Sequence, residues 1–251
     1  MNAIPAIALR DIHKSFGATE IIRGVTLEIQ RGQRHGIIGP NGAGKTTLFN
    51  MISGRLSVSR GQIELNGQPI HNRAPHEINR MGLSRSFQIT SLFHRLSVFE
   101  NVRCALLWSR GYGYSIAHLL NKQRDLNTAT AVLLERLGLW DRREVRAGLL
   151  SYAEQRALEI GITVAGGADV VLLDEPTAGM NRNEADHAAA LIRQLTEGKT
   201  LIIVEHDMSV VFNLADAVSV LVYGQIIASD VPERVRTNPR VREAYLGSKA
   251  A

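Results

Sequence analysis

Gly39-Pro40-Asn41-Gly42-Ala43-Gly44-Lys45-Thr46 sets glycines, a lysine and a hydroxyl in the spacing G-x-x-x-x-G-K-[ST]. Glycines at this spacing let successive backbone N–H groups turn toward one anion, and a helix starting at Lys45 adds partial positive charge at its N-terminus. Lys45 can then reach β- and γ-phosphates and the Thr46 hydroxyl can meet Mg²⁺, with Thr47 the next residue of the same cradle. That chemistry is the binding of a nucleoside triphosphate; the alternative is a glycine-rich turn that binds nothing. A second constellation is Val170-Val171-Leu172-Leu173-Asp174-Glu175. An apolar strand there would deliver Asp174 to a metal ion at its carboxyl end, with Glu175 placed to take a proton from an attacking water. Alone, an apolar run ending Asp-Glu says little, because acidic residues often cap the next element. In register with a phosphate loop it says much more.

For these residues to meet, the intervening chain must form a sheet. Alternating or continuous apolar residues predict strands at 7–9, 25–29 and 35–38, a helix at 45–52 stopping at Gly54, and a strand at 63–65 closed by the hairpin-type turn Asn66-Gly67. From about 74 to 166 the period becomes helical, with helices predicted at 98–108, 117–137 and 152–164. Strand and helix alternate again afterwards: strand 170–173, helix 183–195, strand 200–204, helix 208–214, then strands 217–222 and 225–228. Short apolar strands alternating with helices predict a mainly parallel sheet covered on both faces, an α/β fold.

Composition sets the outer bounds. The chain has 251 residues, 45% hydrophobic and 21% charged, the balance of a protein with a sizeable core. No apolar run approaches the ~18 to 20 residues that span a bilayer, so an integral membrane protein is not expected. The start Met1-Asn2-Ala3-Ile4-Pro5 lacks the features of a secretory signal, and a single cysteine, Cys104, allows neither an internal disulfide nor a cysteine-built metal site. A reducing compartment is therefore expected. The net charge of +5 divides unevenly, with +4 in residues 1–72, +6 in 73–156 and −5 in 157–251. A uniformly basic nucleic-acid binder would not divide this way, so nucleic acid is not an expected partner.

Between the two constellations lies Leu150-Ser151-Tyr152-Ala153-Glu154-Gln155-Arg156. Here the chain resembles the ATP-binding cassette ATPases, whose Leu-Ser-Gly-Gly-Gln signature stands at this point. Phe87-Gln88 resembles their Q-loop, Ala178-Gly179-Met180-Asn181 their D-loop and Glu205-His206-Asp207 their switch-histidine segment, so the likeness covers nearly the whole chain. It implies the P-loop ATPase fold of that family: a nucleotide-binding core at 1–73 and 167–251 with an N-terminal antiparallel β subdomain, and a helical subdomain inserted at about 74–166. It implies ATP and Mg²⁺ as cofactors, with Gln88 touching metal and water beside Thr46 and Asp174, and His206 holding Glu175, water and γ-phosphate in place. Phe16 either stacks on adenine or is an ordinary core or strand-end aromatic. Two such chains would face each other head to tail, the signature of one, through Ser151, Ala153 and Glu154, meeting the nucleotide held by the other.

Two departures from the family pattern bear on activity. Ala153 stands where a second small residue, usually glycine, is the rule; its methyl and its aversion to positive φ are expected to weaken the closed dimer and slow turnover, unless the helix start accommodates it. Gly161-Ile162 replaces the usual Ala-Arg, and a mid-helix glycine costs on the order of 1 kcal/mol relative to alanine.

Several segments resemble the ATPase subunits of high-affinity branched-chain amino acid importers: Arg85-Ser86-Phe87-Gln88, the 104–128 insertion, Ala178-Gly179-Met180-Asn181, Val204-Glu205-His206-Asp207-Met208 and the tail 238–247. That resemblance implies two integral membrane permease subunits, a second ATPase subunit (the same chain or a paralogue), a periplasmic solute-binding protein acting indirectly, and a place on the cytoplasmic face of the inner membrane. Urea or amide importers, a lipopolysaccharide-exporting system, a weakly hydrolysing regulatory subunit, and a cassette ATPase of DNA repair or ribosomes are the alternatives. The basic surplus of residues 73–156 suggests that Arg85, Arg95 and Arg103, or some of them, contact a partner's cytoplasmic loops; the alternative is a solvated basic face.

Overall fold

The computed structural model describes residues 4–86, 92–112 and 123–246. The chain divides into two compact units, one of Met1–Arg85, Asp169–Glu175 and Glu197–Ala251, the other of Ser86–Ala168 and Pro176–Thr196.

The first unit holds two sheets. Strands β1 (Ile7–Phe16), β2 (Thr19–Ile29), β4 (Arg60–Leu65) and β5 (Gln68–Pro69) form an antiparallel sheet in the order β2-β1-β4-β5. β1 runs well past the three residues that its apolar pattern predicts. Arg10 and Asp11 break the alternation, Asp11 adopts φ 48°, and the register shifts there before pairing resumes. Arg60 and His13 both bond the Asp11 carboxylate and tie the bulge down.

The second sheet has six strands, in the order β10-β9-β3-β8-β7-β6. They are β3 (Arg34–Ile38), β6 (Leu83–Arg85), β7 (Val170–Asp174), β8 (Thr200–Val204), β9 (Ala217–Val222) and β10 (Gln225–Asp230). All neighbours are parallel except the β9–β10 hairpin. Every residue of β7 and β8 is buried, which is why both read as continuous apolar runs. Helix α1 (Lys45–Ile52) puts Leu48, Phe49, Met51 and Ile52 into one core with Ile7, Leu9 and Ile63 of the antiparallel sheet and Leu172 and Ile202 of the mixed sheet. A smaller core gathers Val211 of α7 (Met208–Leu214), Val218 and Val220, Val235 of α8 (Pro232–Thr237) and Val241 of α9 (Pro239–Leu246).

Two elements of this unit are too short to show a hydrophobic period. α2 (Pro75–Arg80) is six residues long, started by Pro75 and by Glu77, whose carboxylate accepts from the Ala74 N–H at 2.9 Å. β6 has three residues and exists as the parallel neighbour of β7, from Leu83 beside Val170 to Arg85 beside Leu172.

The second unit is helical among its described residues: α3 (Val98–Ser109), α4 (Arg124–Arg136), α5 (Tyr152–Ala165) and α6 (Arg182–Leu195). From the first turn of α3, the buried Asn101 amide reaches back to donate to the carbonyls of Phe93 and Ser97 and accept from the Phe93 N–H, fixing the turn from which the helix starts. α6 buries Ala185, Ala188, Ile192 and Leu195, one stripe at helical spacing. In α5 the glycine that departs from the family pattern has a packing reason. A Cβ on Gly161 would lie 2.5 Å from Leu137 Cδ1 and 2.8 Å from Leu137 Cδ2. Among the described residues no helix is long and apolar enough to cross a membrane.

Candidate nucleotide-binding site

The parallel strands β3, β7 and β8 all end on one edge of the mixed sheet, and α/β folds bind ligands beyond such carboxyl ends. From Ile38 the chain enters the Gly39–Gly44 loop and leaves it as α1. Gly42 and Gly44 have φ of 77° and 102°, and a Cβ on Gly44 would also meet Ile22 Cδ1 at 2.7 Å, so the loop shape needs glycine there. The Ala43 N–H donates to Pro40 O at 3.2 Å, while Ala43 O accepts from the N–H of Gly224 at the tip of the β9–β10 turn at 3.0 Å. Asn41 and Thr46 are exposed, and Pro40 and Thr47 are half-buried. The first turn of α1 carries no acidic residue that would offset its positive end. Lys45 folds over the loop, its ammonium donating to Gly39 O at 2.7 Å and Pro40 O at 3.1 Å. Burial pushes its pKa down, and the nearby carboxylates of Glu175 and Asp174 oppose that.

Asp174 closes β7 opposite Val204, the last residue of β8, and its side chain is 1% exposed. Burial raises its carboxyl above the ordinary range, and the guanidinium of Arg85 beside it works in the opposite direction. Glu175 follows at φ 47°, a left-handed conformation costly for a side chain of this size, while its N–H donates to Val204 O at 2.8 Å. The ends of β7 and β8 are thereby stitched together. Beyond β8, Glu205 is fully buried and accepts from the His206 N–H at 3.2 Å, and the His206 side chain is 60% exposed. Asp207 caps α7 by accepting from the Ser209 N–H at 2.8 Å. Phe16, at the end of β1, is 50% exposed and so is not a core aromatic; the Lys14 ammonium lies 5.1 Å from its ring centroid.

Arg85 departs from the partner contact that its basic segment suggests. It does not face a partner: its side chain is 6% exposed, and its guanidinium bonds Asp174 Oδ2 at 2.9 Å, Asn50 Oδ1 at 2.7 Å and Ser53 Oγ at 2.8 Å. In the sequence it looks like one more basic residue of a basic segment. The signal that could have found it is its place at the end of Leu83-Ser84, a short run able to lie beside the Asp174 strand.

The signature residues belong to the second unit. Ser151 caps α5: its Oγ accepts from the Glu154 N–H at 3.3 Å, and the Glu154 carboxylate accepts from the Ser151 N–H at 2.8 Å. Glu154 also pairs with Arg142 at 3.3 Å. Ala153 lies in the first turn of α5 and is not among the residues with positive φ, so the backbone part of the expected penalty does not arise. Tyr152, which carries no site role in the sequence, donates its hydroxyl to Ala178 O at 2.8 Å and so ties the signature segment to the segment that resembles the D-loop. Asn181 caps α6 by accepting from the Glu184 N–H at 3.1 Å. Phe87 and Gln88 lie outside the described residues.

A divalent cation would find hard oxygen donors here in Thr46 and Asp174. Among the described residues no group of three or more His, Cys, Asp or Glu could hold a metal by itself. Too few protein ligands for a closed cage, with phosphate oxygens to complete the shell, is how Mg²⁺ is held with a nucleotide.

A phosphate-binding loop between β3 and α1, with an acidic pair at the end of a parallel strand, defines a P-loop nucleotide hydrolase. Residues 22–178 match the model of the ABC transporter family, and the chain belongs to that family: it is an ATP-binding subunit whose hydrolysis of ATP is coupled to transport. Residues 225–251 match a second model, described as branched-chain amino acid ATP-binding cassette transporter. The chain is 34% identical to the high-affinity branched-chain amino acid transport ATP-binding protein BraF of Pseudomonas aeruginosa, over 97% of this chain and 98% of that one. It is also 34% identical to LivG of Escherichia coli K12, which has the same description, with the same coverage. Among solved structures, the ADP conformation of MJ1267, an ATP-binding cassette of an ABC transporter, superposes with a TM-score of 0.83 at 28% identity, covering 96% of this chain and 98% of that one. A nucleotide-free ATP-binding cassette superposes at 0.81. Membership in the family implies integral-membrane permease partners.

Proposed function

We propose that this chain is the ATPase subunit of a high-affinity importer of branched-chain amino acids, seated on two permease subunits at the cytoplasmic face of the inner membrane. It would pair there with a second ATPase subunit and serve a periplasmic solute-binding protein. The observation that carries the reading is likeness over nearly the full length to two branched-chain amino acid transport ATPases, joined to a match at 225–251, a tail that ATP chemistry does not require.

In this reading the first unit is the nucleotide-binding core. The Gly39–Gly44 amides and Lys45 bind the triphosphate, and Phe16 offers a half-exposed ring to the adenine. Thr46 and Asp174 hold Mg²⁺, which when bound neutralises phosphate charge. Glu175 takes a proton from water as the water oxygen bonds the γ-phosphorus and the bond to the β,γ-bridging oxygen breaks, leaving ADP and phosphate. His206, exposed and tethered through Glu205, orients the reacting groups. In the second unit, Ser151 and the first amides of α5, at Ala153 and Glu154, serve the nucleotide of the opposing subunit. A cleft of about 770 Å³ in this unit is lined by Arg95, Phe99, Glu100, Arg103, Trp140 and Arg146, among others. Aromatic and arginine side chains of this kind favour a protein interface, and we assign the cleft to a cytoplasmic loop of a permease.

The test is co-expression with its permease subunits and binding protein, followed by leucine, isoleucine and valine uptake into vesicles. Glu175→Gln should abolish ATP-driven uptake and steady-state hydrolysis while leaving ATP binding intact. Uptake of urea or amides, with none of these amino acids carried, would overturn the assignment of the solute.

A further inference from the structure

The guanidinium of Arg85 joins three elements of the first unit. From the end of β6 it reaches Asp174 Oδ2 at 2.9 Å, at the end of β7. Its other terminal nitrogen reaches Asn50 Oδ1 at 2.7 Å and Ser53 Oγ at 2.8 Å, both from α1, and its carbon lies 5.6 Å from the centroid of the Phe49 ring. Asn50 and Ser53 follow Thr46 by one and two helical turns, so the face of α1 that Arg85 grips is the face that begins at Thr46.

We propose that Arg85 is a positioning residue for the divalent cation, a clamp that fixes the Asp174 carboxylate against the helix carrying Thr46 and so sets the spacing between the two protein ligands. This rests on the assignment of Thr46 and Asp174 to the cation made above. The side chains of Arg85 and Asp174 are 6% and 1% exposed, and a buried pair of this kind is weak evidence for stability, since apolar residues of similar volume often do as well. Ligand orientation is a task that apolar packing cannot perform. Only a planar fork can bond a carboxylate on one side and two helix side chains on the other; lysine keeps the charge and loses the span.

The experiment measures ADP binding to the whole chain across a Mg²⁺ titration and, separately, in EDTA. Arg85→Lys should weaken the apparent Mg²⁺ affinity on the order of 10-fold, as loss of an outer-shell partner of a metal ligand does, while metal-free ADP binding through Lys45 and the loop amides stays as in the wild type. Asn50→Ala removes one helix contact but spares the pair with Asp174, and should shift Mg²⁺ affinity in the same direction by a smaller factor, about 3-fold. It decides the matter if Arg85→Lys does not fold. Unchanged or tighter Mg²⁺ dependence in the folded variants, or equal losses with and without metal, would overturn the proposal. Asp174→Asn separates the cation assignment from the role of Arg85. If it responds to Mg²⁺ like the wild type, the cation assignment itself is wrong; if it loses the response and the clamp variants keep theirs, only the role of Arg85 is wrong.

Discussion

Phe16 shows how much a single side chain can be asked to do once its surroundings are known. Lys14 lies over its ring while the Lys14 ammonium bonds Ser57 O at 2.6 Å, so a cation is fixed beside an aromatic that remains half open to solvent. A stacked base should gain about 1 kcal/mol from such a ring. Phe16→Ala is expected to raise the Kd for ADP about fivefold and Phe16→Tyr to leave it unchanged, as measured by calorimetry. Equal affinities for all three proteins would place adenine elsewhere. Ala153 invites the opposite expectation. It occupies an ordinary first-turn position, so replacing it with glycine relieves no backbone strain and costs the start of α5 about 0.5–1 kcal/mol. Ala153→Gly should melt slightly earlier and hydrolyse ATP no faster; a clear rise in turnover would mean that the methyl itself obstructs the opposing subunit's nucleotide.

At the scale of elements, α5 and the end of α4 constrain each other through Gly161 and Leu137. Alanine at 161 would gain about 1 kcal/mol of helix propensity. It would also drive a methyl into Leu137 at 2.5 Å, and overpacking of this kind costs about 1–3 kcal/mol. Gly161→Ala should therefore be destabilising by about 1 kcal/mol, and combining it with Leu137→Ala should cost less than the two single losses together, as read from urea midpoints. Strict additivity would show that Leu137 moves aside freely. The same interdependence explains what the sequence could and could not reveal. β7, β8 and the loop before α1 are legible because each is complete in itself: an unbroken apolar run, or a glycine spacing whose meaning does not depend on the rest of the chain. β1 beyond Leu9 is not legible, because Arg10 and Asp11 look like a turn until Arg60 from β4 is seen to hold the bulge. β6 is too short to show a period and is defined by its neighbour. Arg85 inherits that difficulty, for its partner Asp174 is 89 residues away.

For the molecule as a whole, the centre of the mixed sheet contains a titratable group that no step of ATP chemistry uses. His35 lies on β3 between its parallel partners Ile202 and Ala217, 2% exposed, with Nε2 2.8 Å from Ser219 Oγ. Ser219 Oγ is in turn 2.9 Å from Ser229 Oγ, so one polar chain crosses β3, β9 and β10. Burial pushes the His35 pKa down from 6.5 to about 4, so the imidazole stays neutral in the folded protein where the unfolded chain would take up a proton. Between those two values the unfolded state binds more protons. Stability is thus fully present above pH 6.5 and falls as the pH drops toward 4, by roughly 3 kcal/mol from this residue. His13 works the other way. Glu20 and Asp11 raise its pKa, so its contribution is present at low pH and is lost as the pH rises through the folded value. The two are separated by comparing the wild type with His35→Gln, which can still hydrogen-bond Ser219 but does not titrate. Stability measured in urea from pH 7 to pH 4.5 should fall more steeply in the wild type than in the variant. Parallel curves would mean that the acid sensitivity of the sheet lies with its carboxylates, and that His35 is protonated without loss of the fold.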